Sequence, residues 1–155
     1  MRFIERHAWK VFAILSVIVI SFGVGDMLQG GETFRSGEAV LFQGVTGMTW
    51  DELSAADPGA ARLIDQQVRS TGAVLLVLGL LSLTVCVTAF RRGERWAWFA
   101  MWTWPIWLVL VYVVFWIVQP DLGSGIPVPL ISGTILLVIT VATLALSNRR
   151  YMRQA

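Results

Sequence analysis

Residue types that carry out catalysis or bind metals are scarce in this sequence. A single cysteine, Cys86, excludes an intramolecular disulfide and a two-cysteine redox relay. A single histidine, His7, excludes a histidine-rich metal site or a bis-histidine haem within one chain. The sequence also lacks a P-loop and a Gly-x-Ser-x-Gly nucleophile motif. We therefore predict no catalytic residue, no metal and no cofactor, and we favour a protein that is not an enzyme.

Large aromatic residues form the first candidate binding surface. One helical face of the segment 98–116 carries Trp98, Trp102, Tyr112 and Trp116. Two interpretations are open. The rings fill gaps left by small residues on neighbouring helices, or they form a wall that binds a lipid, an isoprenoid or a quinone. Pro105 lies in the same segment, where it removes a backbone amide and frees the carbonyl of Met101.

A carboxylate and a guanidinium form the second candidate. Asp26 follows the first apolar stretch and Arg69 precedes the second, so both are expected at the same membrane boundary. We expect an interfacial ion pair, with a substrate-binding group as the alternative. The apolar stretches contain no charged residue except Lys10 at an edge, which disfavours proton-coupled transport.

The elements that position these residues are predicted to be membrane-spanning helices. Apolar residues make up 56% of the 155 residues, and charged residues make up 14%. A helix of about 20 apolar residues crosses a hydrocarbon layer of about 30 Å. Stretches of that kind occur at about 8–25, 71–90, 96–118 and 126–146. The sequence predicts an all-α integral membrane bundle of four transmembrane helices; the first resembles a signal peptide, but we expect it to remain in the mature protein.

The distribution of Lys and Arg predicts the orientation. Nine of the twelve fall at the N-terminus, in the turn between the second and third stretches and in the tail: Arg2, Arg6, Lys10, Arg91, Arg92, Arg95, Arg149, Arg150 and Arg153. Less Glu5 and Glu94, this face carries a net charge of +7, whereas three cations and eight acids give the other face −5. The positive-inside rule then predicts that both termini are cytoplasmic. We expect the membrane to be a prokaryotic plasma membrane. The basic face suits contact with membrane lipids, and no nucleic-acid-binding pattern is present.

The segment 26–70 is predicted to form a small extracytoplasmic cap. Its apolar run 39–42 fits a short strand or a loop at the membrane interface. Farther along, Ala61, Ile64 and Val68 line one side of a predicted helix and require a cover.

Helix-start signals occur twice in this segment. Thr49 and Glu52 have the spacing of a capping box. Asp57 then precedes Pro58, as an N-cap precedes a proline at the first helical position. Nothing between Pro58 and Phe90 obliges this helix to stop. We therefore predict one helix of about 33 residues, roughly 50 Å long at 1.5 Å per residue.

Small residues on the second span are predicted to contact neighbouring helices. They recur at heptad-like spacing: Gly72, Gly79, Ser82, Cys86 and Ala89. We expect this span to be the central contact of the bundle.

The segments 70–79 (STGAVLLVLG) and 91–98 (RRGERWAW), together with the order of the spans, resemble small bacterial four-helix membrane proteins of the DoxX-like type. The resemblance implies a four-helix membrane fold. Redox roles proposed for some relatives cannot be carried over, because no thiol or cofactor motif here matches them.

Three functions are compatible with the sequence. The first is a non-catalytic accessory or scaffolding component of a membrane assembly, with membrane lipids and a membrane-protein partner or second copy as its contacts. The second is the binding or transport of an apolar ligand within the bundle. The third is a lipid-modifying enzyme at the outer face, for which Asp26, Glu52, Asp65 and Arg69 are the available groups.

Overall fold

All regular secondary structure is helical in the residues that the computed structural model describes, which are 2–36, 38–118 and 128–152. No strand occurs among them. The elements in chain order are α1 (Arg2–Gln29), a 3₁₀ helix (Gly30–Arg35), α2 (Ala39–Thr46), α3 (Trp50–Ala56), α4 (Pro58–Val85), a π-helix (Cys86–Phe90), α5 (Arg95–Met101), α6 (Thr103–Val118) and α7 (Val128–Met152). The predicted all-α fold class is confirmed.

Helical segments long and apolar enough to cross a membrane number four among the described residues: His7–Arg35, Pro58–Phe90, Arg95–Ile117 and Ile131–Asn148. Each overlaps one predicted span, which confirms their number and order. The predicted start of the fourth span at Ile126 lies outside the described residues, as do Asp121 and Arg153. Within the described ranges, the side chains outside the description are those of Arg2, Phe3, Ile4, Glu5, Arg6, Val40, Val118, Val128, Pro129, Leu130, Arg149 and Arg150.

The chain divides into two compact units, residues 1–16 with 81–155 and residues 17–80. Both α1 and α4 contribute residues to each unit. The buried residues Trp98 and Trp104 belong to the first unit, and the helical cap, which contains the buried Trp50, belongs to the second.

Aromatic rings form the core of the cap. Phe42 and Trp50 are buried together with Ala61 from the start of α4. Phe34 stacks on Phe42 with ring centroids 4.6 Å apart, and Phe42 meets Trp50 edge-on at 5.7 Å. Ile64 packs against the same cluster, so the predicted cover over the apolar side of this helix is confirmed.

The prediction of a strand or loop at 39–42 is wrong, because these residues begin helix α2. The helix ends at Gly47, which adopts φ 70° and donates its amide to the Gln43 carbonyl. A left-handed residue of this kind is the usual end of a helix and favours glycine. An apolar run of only four residues cannot distinguish a strand from one turn of a buried helix.

Both predicted helix-start signals are confirmed. Glu52 Oε2 accepts from the Thr49 amide at 2.7 Å, and Thr49 Oγ1 accepts from the Glu52 amide at 3.3 Å. The bond from the Thr49 amide, followed by that from its hydroxyl, lowers the pKa of the Glu52 carboxyl. The ionised carboxylate therefore stabilises the fold at neutral pH, and this contribution is lost as the pH falls through the lowered pKa.

Asp57 caps the long helix. Its Oδ1 accepts from the amides of Gly59 and Ala60, each at 3.0 Å. The helical segment then continues for 33 residues from Pro58 to Phe90, as predicted. Its last five residues form a π-helix, which the sequence pattern did not predict.

Glycines allow α1 and α4 to approach closely within unit 17–80. An ideal Cβ placed on Gly23 would lie 2.6 Å from the Leu76 amide nitrogen. One placed on Gly72 would lie 2.7 Å from both the Gly23 carbonyl oxygen and the Met27 amide nitrogen. Backbone therefore lies against backbone here, which is how small residues bring membrane helices together.

The third predicted span is interrupted rather than continuous. Helix α5 ends at Met101 and α6 begins at Thr103. At the junction the Trp102 amide donates to the Phe99 carbonyl at 3.1 Å, a step of three residues. Pro105, which has no amide to donate to Met101, is the physical reason.

Candidate functional site

A chain of buried hydrogen bonds crosses three helices in the unit formed by residues 1–16 and 81–155. Trp104 Nε1 donates to Ser82 Oγ at 2.7 Å. Ser82 Oγ and Ser16 Oγ are 3.0 Å apart, and Ser16 Oγ donates to the Phe12 carbonyl at 2.8 Å. The exposed fractions of Trp104, Ser82 and Ser16 are 5%, 7% and 0%.

The two donors of this chain are Trp104 and Ser16. The indole of Trp104 is a donor only, and Ser82 Oγ accepts from it. Ser16 donates toward both Ser82 Oγ and the Phe12 carbonyl, and its one hydroxyl hydrogen is shared between these two acceptors. The donors of Trp104 and Ser16 are therefore satisfied within the chain. We call this set the Trp104 chain.

The small residues of α4 and the π-helix that are predicted to contact neighbouring helices lie at buried positions. Gly72 and Gly79 are buried, as are Ser82 and Cys86, with Cys86 fully so. Cys86 Sγ donates to the Trp9 carbonyl at 2.8 Å and thereby joins the π-helix to α1. Buried thiols held in this way act as small apolar side chains with a weak donor.

The aromatic side chains at the end of the π-helix are also tied to backbone. Tyr151 is fully buried, and its hydroxyl donates to the Phe90 carbonyl at 2.8 Å. The Phe90 ring stacks on Tyr151 and meets Phe12 edge-on, with centroids 4.8 and 5.4 Å apart. This carbonyl also accepts from the Gly93 amide at 3.1 Å, in the turn that precedes α5.

The predicted aromatic face is only partly assembled. Trp98 is buried and donates to the Leu144 carbonyl at 3.1 Å, while its ring meets that of Trp102 at 5.7 Å. Tyr112 makes a 2.8 Å hydrogen bond with Thr134 on α7. Trp116 is 51% exposed. The structure thus brings Trp98 and Trp102 together, but it does not place all four rings on one enclosed wall.

Trp104, the tryptophan whose indole binds another side chain deep in the spans, is not among the predicted site residues. Trp104 lies off the face defined by Trp98 and Trp102, and its partners Ser82 and Ser16 come from two other helices. The signal in the sequence was the presence of serines within otherwise apolar spans, because a buried hydroxyl requires a hydrogen-bond partner.

The predicted ion pair between Asp26 and Arg69 does not occur among the ion pairs of the described residues. Arg69 Nε instead binds Asp65 Oδ2 at 2.9 Å, across one turn of α4. Its Nη1 donates to the carbonyls of Met27 and Leu28 at 2.7 and 3.2 Å. These carbonyls belong to the last turn of α1 and lack partners within the helix, so Arg69 caps its C-terminus.

The second carboxylate oxygen of Asp65 binds the backbone just after α1. Asp65 Oδ1 accepts from the Gly31 amide at 2.8 Å, directly after Gly30 with φ 56°. An ideal Cβ on Gly30 would lie 2.1 Å from that same oxygen, so only glycine fits. Asp65 and Arg69 together hold the chain where it leaves α1.

Asp26 lies beside Gly72 on α4. The Cβ atom of Asp26 is 2.8 Å from the position that an ideal Cβ on Gly72 would occupy. Desolvation raises the pKa of the Glu38 carboxyl, and the negative charge of Asp26 raises it further.

In the part of the chain that the structure describes, no group of three or more His, Cys, Asp or Glu side chains could hold a metal ion.

These observations define an all-α protein with four described helices long and apolar enough to cross a membrane, in which deeply buried polar side chains bind one another or backbone carbonyls. Comparisons with models of known protein families, with curated proteins and with solved structures gave no match.

Proposed function

We propose that this protein is a non-catalytic accessory or scaffolding component of a membrane assembly. The Trp104 chain is the observation that carries the proposal. The donors of Trp104 and Ser16 are satisfied by Ser82 and the Phe12 carbonyl, so these groups hold helices together rather than await a ligand. Satisfied interhelical hydrogen bonds of this kind stabilise and specify helix packing in membranes.

The other aromatic contacts support the same role. Trp98 and Tyr151 direct their polar atoms to the carbonyls of Leu144 and Phe90. The outward faces of the spans are apolar, with Phe22, Val74 and Ile117 each more than 60% exposed. Such faces suit lipid or the helices of a partner.

Extraction from native membranes tests the proposal directly. Polymer-bounded membrane particles, analysed by native mass spectrometry, should contain the 17.2 kDa chain with a second protein chain, or another copy, in fixed stoichiometry. A single chain that carries one apolar small molecule in fixed stoichiometry would contradict the proposal and favour the ligand-binding alternative.

Replacing Trp102 and Tyr112 together with leucine separates packing from ligand binding. If both residues are packing residues, loss of the Tyr112 hydrogen bond and of the Trp98–Trp102 ring contact should destabilise the fold by about 1–3 kcal/mol and lower its Tm. Thermal melts in detergent would measure this. An unchanged melt with loss of a co-purifying lipid, isoprenoid or quinone would contradict the packing role.

We further propose a prokaryotic plasma membrane and cytoplasmic termini, as the charge bias and the DoxX-like resemblance suggest. A reporter fused after Ala155 should then be active in the cytoplasm, and one inserted near Glu38 should be active outside. The opposite location at either site would contradict the four-span topology.

A further inference from the structure

Two cationic side chains meet at one indole ring near the start of the first membrane-crossing helix. Lys10 Nζ lies 5.9 Å from the centroid of the Trp9 ring, and the Arg91 guanidinium carbon lies 5.1 Å from it. Both distances are within the range of a cation–π interaction, about 6 Å. Lys10 and Arg91 are exposed, and Trp9 is half-buried.

Neighbouring contacts hold this arrangement in place. The Trp9 carbonyl accepts from Cys86 Sγ at 2.8 Å, so the backbone that bears the ring is joined to the π-helix that ends one residue before Arg91. The following turn is fixed by Gly93, with φ 88°, whose amide donates to the Phe90 carbonyl. Lys10 and Arg91 therefore come from two helices that are bonded to each other beside the ring.

The location is a membrane boundary. The helical segments that can cross a membrane begin at His7, end at Phe90 and begin again at Arg95, so Trp9 and Arg91 lie where apolar helix meets headgroups. Tryptophan rings concentrate at this depth. Exposed Arg92 and Arg95 add positive charge at the same boundary.

Apolar surface continues inward from each cation. Ile14, four residues along α1 from Lys10, is 61% exposed, and Val87, four residues before Arg91, is 41% exposed. A charged group above an apolar surface matches the two parts of a phospholipid, whereas a free phosphate would use only the charged part.

We propose that Lys10 and Arg91, held beside the ring of Trp9, bind the phosphate of an anionic phospholipid headgroup whose acyl chains lie against Ile14 and Val87. Basic pockets of this kind at helix ends bind anionic lipids. A zwitterionic lipid, which carries its own cation, should bind more weakly.

The test uses the full chain in detergent, titrated with short-chain phosphatidylglycerol or with phosphatidylcholine of the same chain length, while native mass spectrometry counts bound lipid. Since each cation near a headgroup contributes about fivefold in affinity, Lys10→Gln with Arg91→Gln should weaken phosphatidylglycerol binding about 30-fold. The matched control is Arg92→Gln with Arg95→Gln, which removes the same charge at the same boundary and should keep most of the affinity.

Three results would overturn the proposal. They are equal losses in the two double variants, no preference for phosphatidylglycerol over phosphatidylcholine, and displacement of the lipid by inorganic phosphate at a similar concentration. The last would indicate a site for a free anion. Preference for phosphatidylglycerol that only the Lys10 and Arg91 variant loses would support the site.

Discussion

Replacing Gly72 with alanine is expected to be among the most destabilising single changes in this protein. The added Cβ would lie 2.7 Å from the Gly23 carbonyl oxygen and from the Met27 amide nitrogen, closer than real Cβ atoms come to other atoms. Both are backbone atoms, so no side chain can move aside to make room. Helices α1 and α4 must separate within unit 17–80, and we expect a loss of about 3 kcal/mol, at the upper end of the usual range for overpacking.

Gly25 provides the matched control for Gly72, because it lies on α1 with no atom within 4 Å of an ideal Cβ. Gly25→Ala should leave stability unchanged or raise it by as much as about 1 kcal/mol, since alanine has the higher helix propensity. Unfolding by detergent titration or heat would measure both variants. Equal stability of Gly72→Ala and Gly25→Ala would contradict the close helix crossing.

Features that depend on a few consecutive residues could be predicted from the sequence. The capping box at Thr49 and Glu52 and the N-cap at Asp57 are defined by spacings of three residues or fewer, and both occur in the structure. The four spans depend only on the length of apolar runs, and they too are found. Local backbone chemistry and burial in lipid determine these features without reference to distant residues.

Features that depend on distant residues could not be predicted in this way. Ser16 and Ser82 are 66 residues apart in sequence, and their contact requires the axial register between α1 and α4, which hydropathy does not contain. The binding partner of Arg69 was predicted wrongly for a related reason. Proximity to the membrane boundary favoured Asp26, but Asp65 lies one turn away on the same helix, and the carbonyls at the end of α1 lack partners within that helix.

Replacing Ser70 with proline should break the long helix next to the contacts that fix the cap. Ser70 lies within α4, where proline would remove one backbone hydrogen bond and clash with the carbonyl of Gln66, at a cost of about 3 kcal/mol or more. Proline also disfavours helical geometry in the residue before it, which here is Arg69. We therefore expect the bonds from Arg69 to Asp65 and to the last carbonyls of α1 to be lost together with the helical bond.

Two control variants show whether the loss of stability in Ser70→Pro comes from breaking the helix. One tests the loss of the serine side chain alone, and the other tests the effect of a proline at the start of the same helix. Ser70→Ala keeps the backbone bond, and Pro58→Ala removes a proline from the first position of α4, where a missing amide costs nothing. Both variants should melt close to the wild type, whereas Ser70→Pro should lose helical circular dichroism and expose residues 58–70 to hydrogen exchange. Equal melting of Ser70→Pro and Ser70→Ala would mean that α4 does not run unbroken from the cap into the apolar span, because a continuous helix cannot accept proline at that position without losing stability.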